Sequence, residues 1–535
     1  MQVWTENDKA IVRCSYQEKE AVKAIGDFKF HKLTATWVFP LRKLTDIINI
    51  LNIQYSAETK AVYDALVIEK QKYHAKVNKA NELKKLTITA PDTKVDLSNL
   101  YEHQKKAFAL ASLFDSYALF MSPGTGKSLV TIKLIQHWGV PAMVVAPLST
   151  LESVWVKEIE KWSTLKCVVL WDNLKAYNKD YDVYIINYAQ FKILHKKALT
   201  PIEKRVQCLV IEESSVMKNH SSGITKSILE YKNKIKHKLC LSGTPAPNNL
   251  LEYHSQMAFV NDALLGDNFF KFRSTYFFST GFGGYLYKPM TGAKDAIIQN
   301  VSKQAFSIDK DECLDLPDKV YETRYVYMDK TQEAAYKMMK EENIMQFKEH
   351  TTLGANELAK LMKLRQITSG FTITTEGATV NISDTKINAL KELLDEIPND
   401  KQVIVWCNFH FEINRLKEEF KDQCCTLYGD MTQAEKNESI TGFQQGKYRI
   451  LLAHPLSGGM GLNLQNCSYI CWYSLSYSSE QHLQANDRIY RSGQVNKCTY
   501  FYLIAKDTID EIIYKVLDKK IDLIESCLAM LKGGK

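Results

Sequence analysis

The sequence predicts an α/β protein of two parallel-sheet lobes with helical insertions, preceded by a small α+β module. Three observations carry this reading. Apolar strand-like runs alternate with helical ones twice along the 535-residue chain, once from Tyr101 onward and again from near Lys401. A glycine-rich segment, SPGTGKS at Ser122–Ser128, sits between a strand and a helix of the first series. In the second series QANDRIYRSGQ, residues Gln484–Gln494, places Arg488 and Arg491 three apart, the helical spacing that aims two guanidinium groups at one anion. A phosphate cradle in one lobe and an arginine pair in the other imply one ATP gripped between them. The chain is therefore expected to be a nucleotide-driven motor.

Along the chain, residues 1–55 form a compact module: EKEAVKAIGDF is amphipathic, TATWVFP is strand-like, and LRKLTDIINIL resumes helical spacing. Residues 56–95 follow as a basic helical linker; seven lysines and four acids fall between 56 and 86 without Pro or Gly, and APDTK breaks the pattern. The first lobe, 96–262, alternates YALFM, SLVTIKLIQHW, PAMVVAP, STLESVWVKEIEKW, VYIINY, QCLVIEE and HKLCLSG. Residues 263–375 form an insertion, aromatic-rich early and helical later, whose GFGG at Gly281–Gly284 is a surface loop because no strand precedes it. The second lobe, 376–505, runs KQVIVWCN, CCTLYG, YRILLAH and YICWYS with helices between, and 506–535 is a C-terminal helix.

Bulk properties narrow the classes. A hydrophobic share of 45% allows more than one core. No run of 18 apolar residues exists and MQVWTENDKA has no signal-peptide core, so a soluble, unexported, cytoplasmic protein without membrane partners is expected. The twelve cysteines form no CxxC; Cys467 and Cys471, inside a strand-like run, are expected to be buried thiols, and no structural metal is predicted. Of the formal net charge of +8, a surplus of five comes from residues 1–95, with 16 Lys and Arg against 11 Asp and Glu. A basic end suits a polyanion.

The chemistry is assigned residue by residue. In SPGTGKS the backbone N–H groups around Gly124, Thr125, Gly126 and Lys127 face phosphate at a helix N-terminus, Lys127 reaches the outer phosphate oxygens, and Ser128 ligates Mg²⁺. The strict pattern has glycine where Met121 stands. At the end of the strand QCLVIEE, Glu212 is assigned to the Mg²⁺ water shell and Glu213 to the attacking water as general base. In LSGTP, Leu241–Pro245, the Ser242 and Thr244 hydroxyls relay the state of the terminal phosphate. In SGGMGLNLQ, Gly461 permits close backbone approach and Asn463 bonds ribose, phosphate or backbone. Arg488 and Arg491 stabilise the transferring phosphoryl group.

From residue 100 to about residue 500 the chain resembles the Snf-type, chromatin-remodeller-like branch of superfamily-two helicases. LYEHQKKA, SPGTGKS, VVAPLSTLESVWVKEIEKW, VIEESSVMKN, LSGTPAPNNLLEYHSQMAFV, LRQITSGF, TLYGDMTQAEKNESI, SGGMGLNLQ and QANDRIYRSGQ carry the match, in the family's order. The resemblance implies two RecA-like lobes that track double-stranded DNA by ATP hydrolysis. It also implies that Gln104 reads the adenine and that Gln484 completes the site with the two arginines. Two departures stand out: Glu212 replaces the usual aspartate, and the paired basic residues expected before the DLP turn are missing from SIDKDECLDLP, which predicts weaker lobe coupling. FKFHKLTATWVFPLRKLTDII is similar to the small HARP-type module of fork-remodelling, strand-annealing members, with Trp37 and Phe39 as its DNA-binding candidates.

The expected function is an ATP-dependent translocase, monomeric, on duplex or branched DNA in replication or repair. A compact motor without histone-reading appendages suits a bacterial or viral source. The rivals are a strand-separating helicase, an ATPase-silent DNA scaffold, and a P-loop small-molecule kinase, which leaves the second lobe unexplained.

Overall fold

The computed structural model describes the chain except residues 54, 88–90, 171–179, 195–201, 203–204, 281–285, 314–315, 347–354, 375–376, 459–461, 463, 492 and 532–535. GFGG, Gly461 and Asn463 thus lie outside the described residues. The chain divides into two compact units, Met1–Leu86 and Thr87–Lys535.

In the first unit, alternation of apolar and polar residues builds an antiparallel sheet in the order Gln2–Glu6, Lys9–Arg13, Thr36–Pro40, Lys29–His31. Ala10 lies opposite Phe39 and Val12 opposite Trp37. With Leu44, Ile47 and Ile48 of the helix Leu44–Leu51, this face forms the unit's core. Trp37 is 4% exposed and Phe39 is 0% exposed. The expectation that they bind DNA is therefore corrected: a two-residue period puts both on the sheet's inner face, where neither offers a ring to a base. The lysine-rich stretch is the helix Ala57–Lys85, started by Ser56, whose hydroxyl accepts from Thr59 N at 3.2 Å. It clusters with the module, so the unit ends at Leu86 rather than at residue 55.

The second unit contains two parallel sheets. Across the first, the order is Ala305–Ile308, Ser116–Met121, His237–Leu241, Cys208–Glu212, Ala142–Ala146, Val183–Asn187, Cys167–Val169. Across the second it is Lys319–Val326, Cys498–Ala505, Tyr469–Trp472, Val403–Trp406, Ile450–Ala453, Cys424–Leu427. In Val403–Trp406, Ile404 and Trp406 pack into one cluster and Val403 and Val405 into another. Strands covered on both faces explain why these runs are continuously apolar.

Residues 263–375 are not a single insertion. Ala305–Ile308 closes the first sheet beside the phosphate-loop strand, and Lys319–Val326 opens the second. The helix Ile509–Leu531 follows the last strand. Cys467 and Cys471 are buried free thiols. Among the described residues no helix is long and apolar enough to cross a membrane, and no cluster of three His, Cys, Asp or Glu groups is placed to hold a metal.

Candidate nucleotide-binding site

The site forms beyond the carboxyl ends of the parallel strands, where loops from both lobes meet. The buried strand Ser116–Met121 delivers the chain into SPGTGKS, and the helix Lys127–Trp138 carries it away. Gly124 and Gly126 have φ of +83° and +86°, a region that glycine enters without a steric cost. At Gly126 a Cβ would stand 2.1 Å from Gln104 Nε2. Gln104 is wedged against the loop: its Nε2 donates to Thr125 C=O at 3.0 Å and its Oε1 accepts from Tyr101 N at 3.0 Å. His103 Nε2 lies 2.9 Å from the same carbonyl. Lys127 Nζ donates to Met121 C=O at 2.8 Å, folded back along the loop. Burial lowers the Lys127 pKa, opposed by the charges of Glu213 and Glu212.

Glu212 ends the strand Cys208–Glu212. Its Oε2 accepts from Trp155 Nε1 at 2.5 Å and from Thr150 Oγ1 at 3.0 Å, while no hydrogen bond to Oε1 forms among the described residues. Trp155 reaches it from Leu151–Val156, one turn of π-helix inside the expected helix STLESVWVKEIEKW. Burial pushes the Glu212 pKa up to about 7, with the two hydrogen bonds opposing and Glu213 adding to the rise. Glu213 adopts a left-handed backbone at φ 48°, which costs a non-glycine residue about 1–3 kcal/mol. Its carboxyl is raised by burial and lowered in part by Lys127. Such a carboxylate accepts a proton more readily than an exposed one.

Ser242 and Thr244 are buried, and Thr244 N donates to Ser242 Oγ at 3.1 Å. Between them Gly243 packs so closely on the phosphate loop that a Cβ would stand 2.7 Å from Pro123 Cδ. A shift of the loop is thus felt directly by this turn.

From lobe two, the helix Ser479–Asn486 carries Gln484, and its start is capped by Ser478, whose hydroxyl accepts from Gln481 N at 3.3 Å. The arginine pair is not on this helix, as the spacing suggested, but in the turns just beyond it. Arg488 N closes back on Ala485 C=O at 3.2 Å, and Leu464 N bonds Arg488 C=O at 3.2 Å, which holds the turn against the sheet. Arg488 Nη1 donates to Leu462 C=O at 3.2 Å and Arg491 Nε to Asp487 C=O at 2.9 Å. Burial and the like charge of Arg491 lower the Arg488 pKa.

Gly124, Gly126, Lys127, Ser128, Glu212 and Glu213 line one cavity of about 390 Å³ with Gln484, Arg488 and Arg491. Side chains from opposite ends of the sequence are thus brought together. Glu480 helps to join the lobes, accepting from Ser215 Oγ at 2.6 Å and from Lys218 Nζ at 2.8 Å. Sequence reasoning missed Thr150, Trp155 and Glu480: a lone Trp in a helical pattern and a Glu on a polar helix carry no signal of what they reach.

Residues 44–370 match the SNF2-related domain and residues 385–493 the helicase conserved C-terminal domain. An uncharacterized ATP-dependent helicase of Mycoplasma genitalium is 27% identical over 73% of this chain and 37% of its own length. A protein of Acyrthosiphon pisum secondary endosymbiont phage 1 is 25% identical over 76% of this chain and 93% of its own. The chain spans well under half the length of the mycoplasma helicases it matches, 37% and 39%. The SWI2/SNF2 ATPase core of Sulfolobus solfataricus, solved in complex with dsDNA, aligns over 84% of this chain and 96% of its own at 24% identity and a TM-score of 0.38.

Proposed function

The chain belongs to the SNF2-related family, and from that premise we propose that it is a DNA-dependent ATPase that translocates on duplex or branched DNA. The observation that carries the reading is the single cavity lined by Lys127 and Ser128 from one lobe and by Gln484, Arg488 and Arg491 from the other. A cavity with three cationic side chains and a glycine loop fits a polyphosphate.

The proposed roles are these. Backbone N–H groups at the start of the helix Lys127–Trp138, with Lys127, hold the phosphates. Gln104 shapes the loop through Thr125 and reads the adenine beside it. Glu213, raised by burial, takes the proton of the attacking water. Arg488 and Arg491 meet the charge that develops on the transferring phosphoryl group. Ser242 and Thr244, packed on Pro123 through Gly243, pass the state of the loop onward. Ser128 Oγ and Glu212 Oε1 are the oxygens that would hold Mg²⁺, since Glu212 Oε2 is engaged by Trp155 and Thr150. Mg²⁺ bound there neutralises phosphate charge.

Branched DNA of replication or repair is the finer reading, and it rests on the first unit. Its support is the surplus of five positive charges in residues 1–95 and the lysine-rich helix Ala57–Lys85. Phosphate contacts by lysines, not base stacking by Trp37 or Phe39, would supply the binding.

The test is ATP hydrolysis measured without DNA and with single-stranded, duplex and forked DNA. Duplex or forked DNA is expected to raise the rate, because the lobes must close before the arginines reach the terminal phosphate. Equal rates with and without DNA would sink the motor reading.

A further inference from the structure

Two consecutive residues at the crossing between the lobes take hold of both halves of the cavity. The strand Ala305–Ile308 runs parallel to the phosphate-loop strand with Ile308 beside Met121, and Ser122 N donates to Ile308 C=O at 3.0 Å. At the next residue, Asp309, Oδ1 accepts from Ser122 Oγ at 3.0 Å. Lys310 turns the other way. It is buried, its ammonium pairs with the Asp487 carboxylate, and Nζ also donates to Tyr490 C=O at 3.1 Å while lying 4.8 Å from the centre of the Tyr490 ring. Asp487 and Tyr490 bracket Arg488 and lead into Arg491, and the Asp487 carbonyl itself accepts from Arg491 Nε at 2.9 Å.

We propose that Asp309 and Lys310 are positioning residues that hold the phosphate loop and the Arg488–Arg491 turn in register. A residue that bonds only its own lobe would steady that lobe alone. Here one peptide unit separates a carboxylate fixed to the first residue of SPGTGKS from an ammonium fixed on both sides of Arg488. A displacement of the loop therefore reaches the arginine turn through one residue of backbone. Burial makes the tie obligatory, because an ammonium out of water that loses its carboxylate is left uncompensated.

The inference rests on the ATP-hydrolysing reading above, and its test keeps the two apart. In the full chain, Lys310→Met and Asp309→Ala are compared with wild type and with Lys310→Arg. Three quantities are read: affinity for a fluorescent ATP analogue, kcat and KM for ATP, and energy transfer between one dye on each lobe on adding a non-hydrolysable analogue. Misplaced arginines should cut kcat of Lys310→Met about 100-fold, with analogue affinity changed less than about twofold and the closure signal lost. Lys310→Arg offers donors to the same carboxylate and should recover most of the rate. Should Lys310→Met melt early, Asp309→Ala, which leaves the buried Lys310–Asp487 pair intact, carries the same test. A kcat within about threefold of wild type would overturn the proposal, as would affinity and melting temperature falling in parallel with kcat in both variants. A wild type indifferent to DNA would sink the translocase reading, while the closure signal would still decide this one.

Discussion

The two halves of the nucleotide site are held by different means. On the lobe-one side the polar groups are fixed largely by lobe one itself: Lys127 by Met121 C=O, Gln104 by Thr125 C=O, and Glu212 by Trp155 and Thr150. On the lobe-two side, beside bonds within the lobe, further supports reach across the cleft: Glu480 to Ser215 and Lys218, Ser479 to Pro247, and Asp487 to Lys310. The difference teaches that binding and turnover have separate structural owners. Lobe one holds the phosphate loop by its own bonds, whereas the arginine turn, held within lobe two by Leu462, Leu464 and Asp487, is tied to the other lobe as well.

The largest expected effects test that division directly. Lys127→Ala removes the cradle's cation and should abolish measurable nucleotide binding, read by equilibrium titration. Glu213→Gln should bind normally and lose hydrolysis by about 10³-fold or more if Glu213 is the proposed base that acts on water and not on bound phosphate. Near-normal turnover in Glu213→Gln would place the general base elsewhere. On the other side, Arg488→Ala and Arg491→Ala should each lower kcat by about 10³-fold, the scale of an arginine finger, with affinity within a few fold. If either arginine variant loses binding as completely as Lys127→Ala, the two halves are not separable and the comparison fails.

A smaller effect sharpens the lobe-one side. Glu212→Asp restores the family's residue but withdraws the carboxylate by one methylene, away from Trp155 Nε1 and Thr150 Oγ1. Turnover should persist but fall by about 10- to 100-fold, because a Mg²⁺ water shell tolerates the shorter reach while the loss of hydrogen bonds to a charged group costs about 1.5–3 kcal/mol. Trp155→Phe should then hurt the wild type and add little to Glu212→Asp. Additive losses in that double-mutant cycle would mean the indole serves packing alone.

Strand runs such as YALFM and PAMVVAP were legible because sheets covered on both faces demand continuous apolar residues. Ala305–Ile308 and Lys319–Val326 were not: the first has only four residues, and in the second, at the sheet edge, Glu322, Thr323 and Arg324 break the apolar run. The phosphate loop, the paired glutamates and the arginines were legible because each is a local pattern with a chemical purpose. The ties of Asp309 and Lys310 were hidden, since Ser122 and Asp487 lie 187 and 177 residues away from them in sequence. Trp37 and Phe39 misled because an aromatic run suits a base and a core equally well, and only the strand register decides between them. Whether Arg488 and Arg491 ride a helix or the turn after it could not be read either, as Arg488 N bonding Ala485 C=O ends the helix one residue before Asp487.

The smallest expected effect concerns what stands behind each half. His103 backs the phosphate loop through Thr125 C=O. On the lobe-two side His482, in the helix leading to the arginines, is buried against the Trp472 ring at 4.4 Å and lies 3.0 Å from Tyr502 OH and 3.1 Å from Asn486 Nδ2. Burial lowers its pKa to about 3. The unfolded chain binds a proton on this imidazole below its ordinary value of about 6.5, while the folded chain stays neutral until near the depressed one. Stability contributed by the neutral ring is therefore full above about pH 6.5 and is lost as pH falls toward 3, with about 1 kcal/mol gone by pH 6. His482→Gln removes this linkage, so urea unfolding followed between pH 8 and pH 5 should give a shallower acid-side loss in the variant than in wild type. An acid loss of the same slope in both proteins would mean that other buried groups, not His482, set the lower pH limit of lobe two.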